Sequence, residues 1–186
     1  MSNSDITIVI LAAGKGTRLK SSLAKVLHRA GGRPLVEHVV RSCQPLKPRE
    51  IIAVVGHQAE DVTAAVAPLG VKTVLQQPQR GTGHAMQVAR RKIPSRAKFA
   101  ILLPGDAPLI RTETVAALAR SHRESGAAAT ILSAEIENPA GYGRIVRRDD
   151  GSVAAIVEDS ALSEEQRSIR EINSSIYCFS LDKLWP

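Results

Sequence analysis

The sequence predicts an α/β fold: three layers, with helices on both faces of a mostly parallel central sheet. Three observations carry that expectation. Short apolar segments rich in β-branched residues recur at Ile6–Leu11, Ile51–Val55, Val71–Leu75 and Phe99–Leu103. The first is an almost unbroken apolar run, as expected of a strand buried on both faces. Helical patterns fill the gaps, and a βαβα order implies parallel strands joined by crossovers. The first strand also runs straight into a glycine-rich turn, as in sheets that bind ligands beyond the carboxyl ends of their strands.

In chain order, Ile6–Leu11 (ITIVIL) belongs at the centre of the sheet. Pro34, suited to a first turn, opens a helical pattern through Leu35, Val36, Val39 and Val40. Gly56 closes the second strand. A helix follows from about Gln58 to Ala67, until Pro68-Leu69-Gly70 breaks it. After the third strand a helix runs from near Gly83 to about Ile93. Thr112–Ser125 is helical beyond the fourth strand, with Gly126 as C-cap.

Past Gly126 the pattern changes. Ala128–Glu135, Gly143–Arg147, Val153–Val157 and Ile172–Phe179 read as strands, with Asp149-Asp150-Gly151 as a hairpin turn. The expectation is one continuous fold made of residues 1–126 and a strand-rich half, 127–186.

Composition narrows the function classes. Of 186 residues, 44% are hydrophobic, which is globular rather than disordered. Aromatics are 3%, which argues against a stacking platform for single-stranded nucleic acid. The net charge of +7 is spread along the chain and suits anionic small molecules. Arg90–Lys92 falls near a helix end, where cations favour the dipole. No apolar run is long enough to span a bilayer, and MSNSD lacks the features of a signal peptide. A cytoplasmic protein is expected, with no nucleic-acid or membrane partner and its oligomeric state open. Cys43 and Cys178 do not form a disulfide or zinc pattern. The five histidines lack metal-ligand spacing, and no Gly-x-Ser-x-Gly or His-Glu-x-x-His run occurs.

Three motifs carry chemistry. After the first strand come Ala12, Ala13, Gly14, Lys15, Gly16, Thr17 and Arg18. Small residues there let backbone N–H groups converge on an anion, and Lys15, Arg18, Lys20 and Lys25 surround them with positive charge. Leu19 stands where the dinucleotide fingerprint needs its third glycine, and no Walker run exists. The plainer alternative is a strand-to-helix turn with surface cations.

The second motif is Gln76-Gln77-Pro78-Gln79-Arg80-Gly81-Thr82-Gly83-His84. Uncharged donors and acceptors at a strand end suit a uracil edge, although Gly and Thr are also frequent at helix N-termini. The third is Leu103-Pro104-Gly105-Asp106. A hard carboxylate past a buried strand suits Mg²⁺ bridging phosphate oxygens, although an Asp can equally turn the chain by bonding its own backbone.

LAAGKGTRLKSSLAK resembles the signature of the sugar-phosphate nucleotidyltransferases, LAAGxGTRM, a short spacer and Pro-Lys. The KVLH that follows is most similar to the bacterial N-acetylglucosamine-1-phosphate uridyltransferases. Ala24 departs from that pattern, where the family usually has proline. The resemblance implies a Rossmann-like, GT-A-like fold and transfer of UMP from UTP to N-acetylglucosamine 1-phosphate. The products would be UDP-N-acetylglucosamine, a cell-wall precursor, and pyrophosphate. It implies that Leu11, Ala12, Ala13, Gly14, Gln76, Gly81 and Thr82 hold the nucleotide, that Arg18 and Lys25 are catalytic, and that Asp106 holds Mg²⁺. Gly143, Glu158 and Asn173 match positions that contact the sugar, and each is a weak signal alone. Alternatives are another base or sugar phosphate, or a nucleotide-sugar-binding protein without turnover.

The family continues into a β-helix acetyltransferase that this sequence does not contain. Its metal also takes an asparagine from a Gly-Val-Asn segment, and no such tripeptide occurs here. The expectation is therefore a C-terminally incomplete domain with impaired turnover and no acetyl transfer.

Overall fold

Strand β1 (Ile6–Ala12) lies between two parallel neighbours, because every side chain it projects, to either face, is small or apolar. The computed structural model describes residues 4–16 and 19–185. The chain forms two compact units: Met1–Thr130 with Cys178–Pro186, and Ile131–Tyr177.

In the first unit the elements after β1 follow in order. A two-residue hairpin joins β2 (Arg29–Ala30) to β3 (Arg33–Pro34). Then come α1 (Leu35–Cys43), β4 (Glu50–Val55), α2 (Ala59–Val66), β5 (Lys72–Leu75), α3 (Gly81–Ala89), β6 (Phe99–Pro104) and α4 (Thr112–Ser125). The parallel order is β5-β4-β1-β6, with Ile8 opposite both Ile51 and Ile101. All strand carboxyl ends therefore share one edge.

Ile8, Val9, Ile10, Ile52, Ile101, Leu102 and Leu103 are fully buried. Each such side chain contributes about 1.5–3 kcal/mol of hydrophobic stabilisation. Helix α1 adds Val36, Val39, Val40 and Cys43, and α4 adds Val115, Leu118, Ala119 and His122. Burial pushes the Cys43 and Cys178 thiols up to about 12, so both are inert at neutral pH.

His122 is the polar exception in this core. Its Nδ1 pairs with Thr130 Oγ1 at 2.8 Å and its Nε2 with Ser180 Oγ at 3.0 Å. Ser180 Oγ donates in turn to the Ala127 carbonyl, and Phe99 meets the imidazole edge-on at 5.3 Å. Burial holds the imidazole below its usual pKa, reinforced by the positive charges of Lys183 and Arg123.

The strands and helices match the expected order, with local differences. Helix α3 begins at Gly81 rather than Gly83; Gly81, at φ +85°, admits the chain into it. Pro34 is extended and precedes α1, which starts at Leu35. The β2–β3 hairpin was not expected, although the glycine pair at its tip (Gly31 φ +54°, Gly32 φ +81°) has the conformation such turns require.

The second unit holds most of β7 (Ala129–Glu135), all of β8 (Arg144–Arg147) and β9 (Val153–Val157), and most of β10 (Glu171–Ser180). Strands β8 and β9 form an antiparallel hairpin with Ile145 opposite Ile156, turning at Gly151 (φ +80°). Strand β10 runs antiparallel to β8, and β7 also pairs with β10. A short helix, α5 (Leu181–Leu184), follows in the first unit. No described helix is long and apolar enough to cross a membrane.

Candidate functional site

Close backbone approaches assemble the carboxyl edge of the first unit. The Gly105 N–H donates to the Leu11 carbonyl at 2.8 Å. A Cβ on Gly105 would lie 2.7 Å from that oxygen and 3.1 Å from Val26 Cγ1, so only glycine fits. That contact fixes Asp106 beside the end of β1.

From the other side, Gly56 ends β4 against the same loop. A Cβ there would stand 2.6 Å from Gln79 Nε2 and 2.9 Å from the Ala13 carbonyl oxygen. The His57 N–H donates to that oxygen at 3.1 Å. Gly56 thus lets the glutamine-rich turn and the glycine-rich loop meet. Gly14 has open space around its Cα, so its backbone is accessible.

Gly16, at φ +68°, comes so close to Lys25 that a Cβ would sit 2.5 Å from Lys25 Cβ. Beyond Gly16 the chain returns through buried Ala24 to Lys25, which opens a short 3₁₀ turn, Lys25–Leu27. Lys25 Nζ forms an ion pair with Asp106 Oδ2. Both side chains keep solvent contact, at 45% and 24% exposure. An ion pair that wet contributes at most about 1 kcal/mol to stability, so its significance is chemical. Arg18 lies outside the described residues.

Gln76 is buried at the end of β5, its N–H donating to the Val55 carbonyl at 2.8 Å. Its Nε2 donates to the Gly81 carbonyl at 3.0 Å and faces His84 Nδ1 at 3.3 Å. The bond to Gly81 turns the amide nitrogen toward α3, which leaves Oε1 as an acceptor. Gly81 and Thr82 form the first turn of α3.

The three residues matched to the sugar meet in the second unit. The Asn173 N–H donates to the Gly143 carbonyl at 2.8 Å. A Cβ on Gly143 would lie 3.5 Å from Glu158 Oε1, so the carboxylate borders that glycine. Asn173 Oδ1 accepts from the Ser175 N–H at 3.0 Å and from the Tyr177 hydroxyl at 2.9 Å. The Tyr177 phenol is raised by burial and by the Glu158 charge, against the Asn173 hydrogen bond.

Arg144 holds this cluster and was not singled out from the sequence. It is 3% exposed. Its guanidinium donates to the Ile169 carbonyl at 3.0 Å, to the Tyr142 carbonyl, and to Asp159 Oδ1 at 3.1 Å. Tyr142 adjoins Gly143 and Asp159 adjoins Glu158, so one buried arginine ties both chain segments. Gly56, Gln79 and Tyr177 were likewise unmarked as site residues. The glycine ending a buried strand was the one available signal.

The model of the MobA-like NTP transferase domain matches residues 8–172. The chain belongs to that family. This NTP transferase is thus a nucleotidyltransferase by family. It is 49% identical over 179 residues to a "Bifunctional protein GlmU" of Synechococcus sp. (strain CC9605), covering 94% of this chain and 39% of that protein. It is 49% identical over 171 residues to the protein of the same name from Alkaliphilus metalliredigens (strain QYMF), covering 92% and 37%. The chain therefore spans less than half the length of these relatives. Among solved structures, a CMP:2-keto-3-deoxy-manno-octonic acid synthetase complexed with CTP shares the NTP transferase's fold. Its TM-score is 0.73 at 23% identity, over 97% of this chain and 76% of that one.

Proposed function

We propose that this domain transfers UMP from UTP to N-acetylglucosamine 1-phosphate, releasing pyrophosphate. The Lys25–Asp106 pair beside the glycine-rich loop, at the carboxyl edge of the sheet, carries the reading. The resemblance of that loop and of KVLH to the uridyltransferases, together with 49% identity to proteins named GlmU, supports the choice of substrates.

The acceptor phosphate is already an anionic nucleophile, so the reaction needs no protein nucleophile or general base. The protein's work is alignment and neutralisation of developing charge. Backbone N–H groups of residues 13–16 would cradle phosphate oxygens. Lys25, freed from Asp106 by the substrate's greater charge, would place its ammonium on the phosphate under attack. Arg18 would take the pyrophosphate.

Gln76 supports uracil over cytosine. With its amide nitrogen turned to the Gly81 carbonyl, the group it offers is Oε1, an acceptor. Uracil N3 carries a hydrogen to give, whereas cytosine N3 is itself an acceptor. In the second unit, Glu158 and Asn173 would hold sugar hydroxyls and the acetamido group.

Asp106 fits Mg²⁺ of the kind that arrives with a nucleotide. It is a partly exposed hard carboxylate. No group of three or more His, Cys, Asp and Glu among the described residues could hold a metal without substrate. Mg²⁺ typically takes one or two carboxylates plus substrate phosphates. Bound there, it would neutralise phosphate charge.

Incubation with UTP and N-acetylglucosamine 1-phosphate should yield UDP-N-acetylglucosamine and one equivalent of pyrophosphate, identified by mass. Absence of both products would refute the proposal.

A further inference from the structure

Residues 13–24 leave β1 and return to the site, and consecutive residues of the β4–α2 turn hold the two ends of this loop. At the outgoing end the His57 N–H donates to the Ala13 carbonyl at 3.1 Å. At the returning end the Gln58 side-chain Oε1 accepts the Ala24 N–H at 2.5 Å. Ala24 is fully buried, so in the intact protein its N–H relies on this acceptor rather than on water. Gln58 adopts φ +49°, ψ +46°, a left-handed conformation uncommon outside Gly, Asn and Asp. That conformation lies just before α2, where a glycine or asparagine would be expected instead. A residue in a disfavoured conformation whose side chain reaches a buried amide in another segment is a marked arrangement.

We propose that Gln58 is a positioning residue for Lys25, acting through the Ala24 amide. Lys25 follows Ala24 directly, and its stem is crowded by Gly16. Movement of Ala24 therefore moves the ammonium that pairs with Asp106. Ala24 itself has φ −53° and ψ 134°, a backbone that proline adopts without strain and without an N–H to satisfy. The glutamine thus does for alanine what a proline ring would do by itself: it keeps the returning strand of the loop in one conformation. The consequence for turnover rests on the transferase reading above; the hydrogen bond does not.

The test is a cycle of Gln58→Ala, Ala24→Pro and the double variant, with two readouts. In the substrate-free protein, amide exchange at Ala24 should accelerate at least about tenfold in Gln58→Ala, while Ile8 and Ile10 keep their wild-type rates. In the transferase assay, Gln58→Ala should lower kcat about tenfold and change KM for UTP less than about twofold. Adding Ala24→Pro to Gln58→Ala should restore kcat to within about threefold of wild type, because no donor is then left unpaired. Gln58→Glu, which keeps an acceptor, should retain the protection of Ala24.

Unchanged exchange at Ala24 in Gln58→Ala overturns the clamp. So does a double variant as slow as Gln58→Ala, or a Gln58→Ala enzyme with wild-type kcat. If wild-type protein shows no transferase activity, the functional reading fails, and exchange at Ala24 alone decides whether the clamp exists.

Discussion

Lys25 and Asp106 face one another as an ion pair, although one ends the glycine-rich loop and the other follows the fourth parallel strand. Neither is buried, so the pair is readily opened by a more highly charged ligand. Lys25→Ala should therefore lower kcat about a hundredfold or more, a loss of about 3 kcal/mol of charge stabilisation. UTP binding should weaken far less. Steady-state kinetics with calorimetric binding check this, and equal losses in both would contradict a transition-state role.

Gly105→Ala should harm both fold and site. The new methyl would stand 2.7 Å from the Leu11 carbonyl, a backbone atom that cannot swing aside. The expected loss is about 1–3 kcal/mol of stability, read from a denaturant midpoint. Asp106 should shift with it, so activity per folded molecule should also fall.

Gln76→Leu should reduce the preference for UTP. It removes the acceptor offered to uracil and the donor that Gln76 gives the Gly81 carbonyl. The kcat/KM for UTP should drop at least about tenfold, with less change for CTP. Equal losses for both nucleotides would contradict a role in reading the base.

Acidification should expose His122. Its folded pKa lies below the usual 6.5, so at neutral pH both folded and unfolded forms are uncharged there. As pH falls through 6.5 the unfolded chain takes a proton first, and stability is lost until the folded pKa is reached. Denaturant midpoints measured from about pH 7.5 to 5.5 should fall more steeply in wild type than in His122→Gln. Identical slopes would contradict this.

Much of this was legible in the sequence because the signals were local. Thr112–Ser125 ends where Gly126 turns left-handed, and Val153–Val157 begins after Gly151 at φ +80°. The loop and the three residues of the second unit were also marked by short patterns. What escaped depends on contacts between distant segments. Nothing local says that Gln58 will reach Ala24, or that Arg144 will bind the Ile169 carbonyl. The left-handed Gln58 was illegible for a further reason, since propensity favours glycine or asparagine there.

The most direct test of the central claim is pyrophosphate release across a matrix of nucleoside triphosphates and sugar 1-phosphates. The account predicts the highest kcat/KM for UTP with N-acetylglucosamine 1-phosphate. A higher value for another pair, or binding of UDP-N-acetylglucosamine with no pyrophosphate released from any pair, would contradict it.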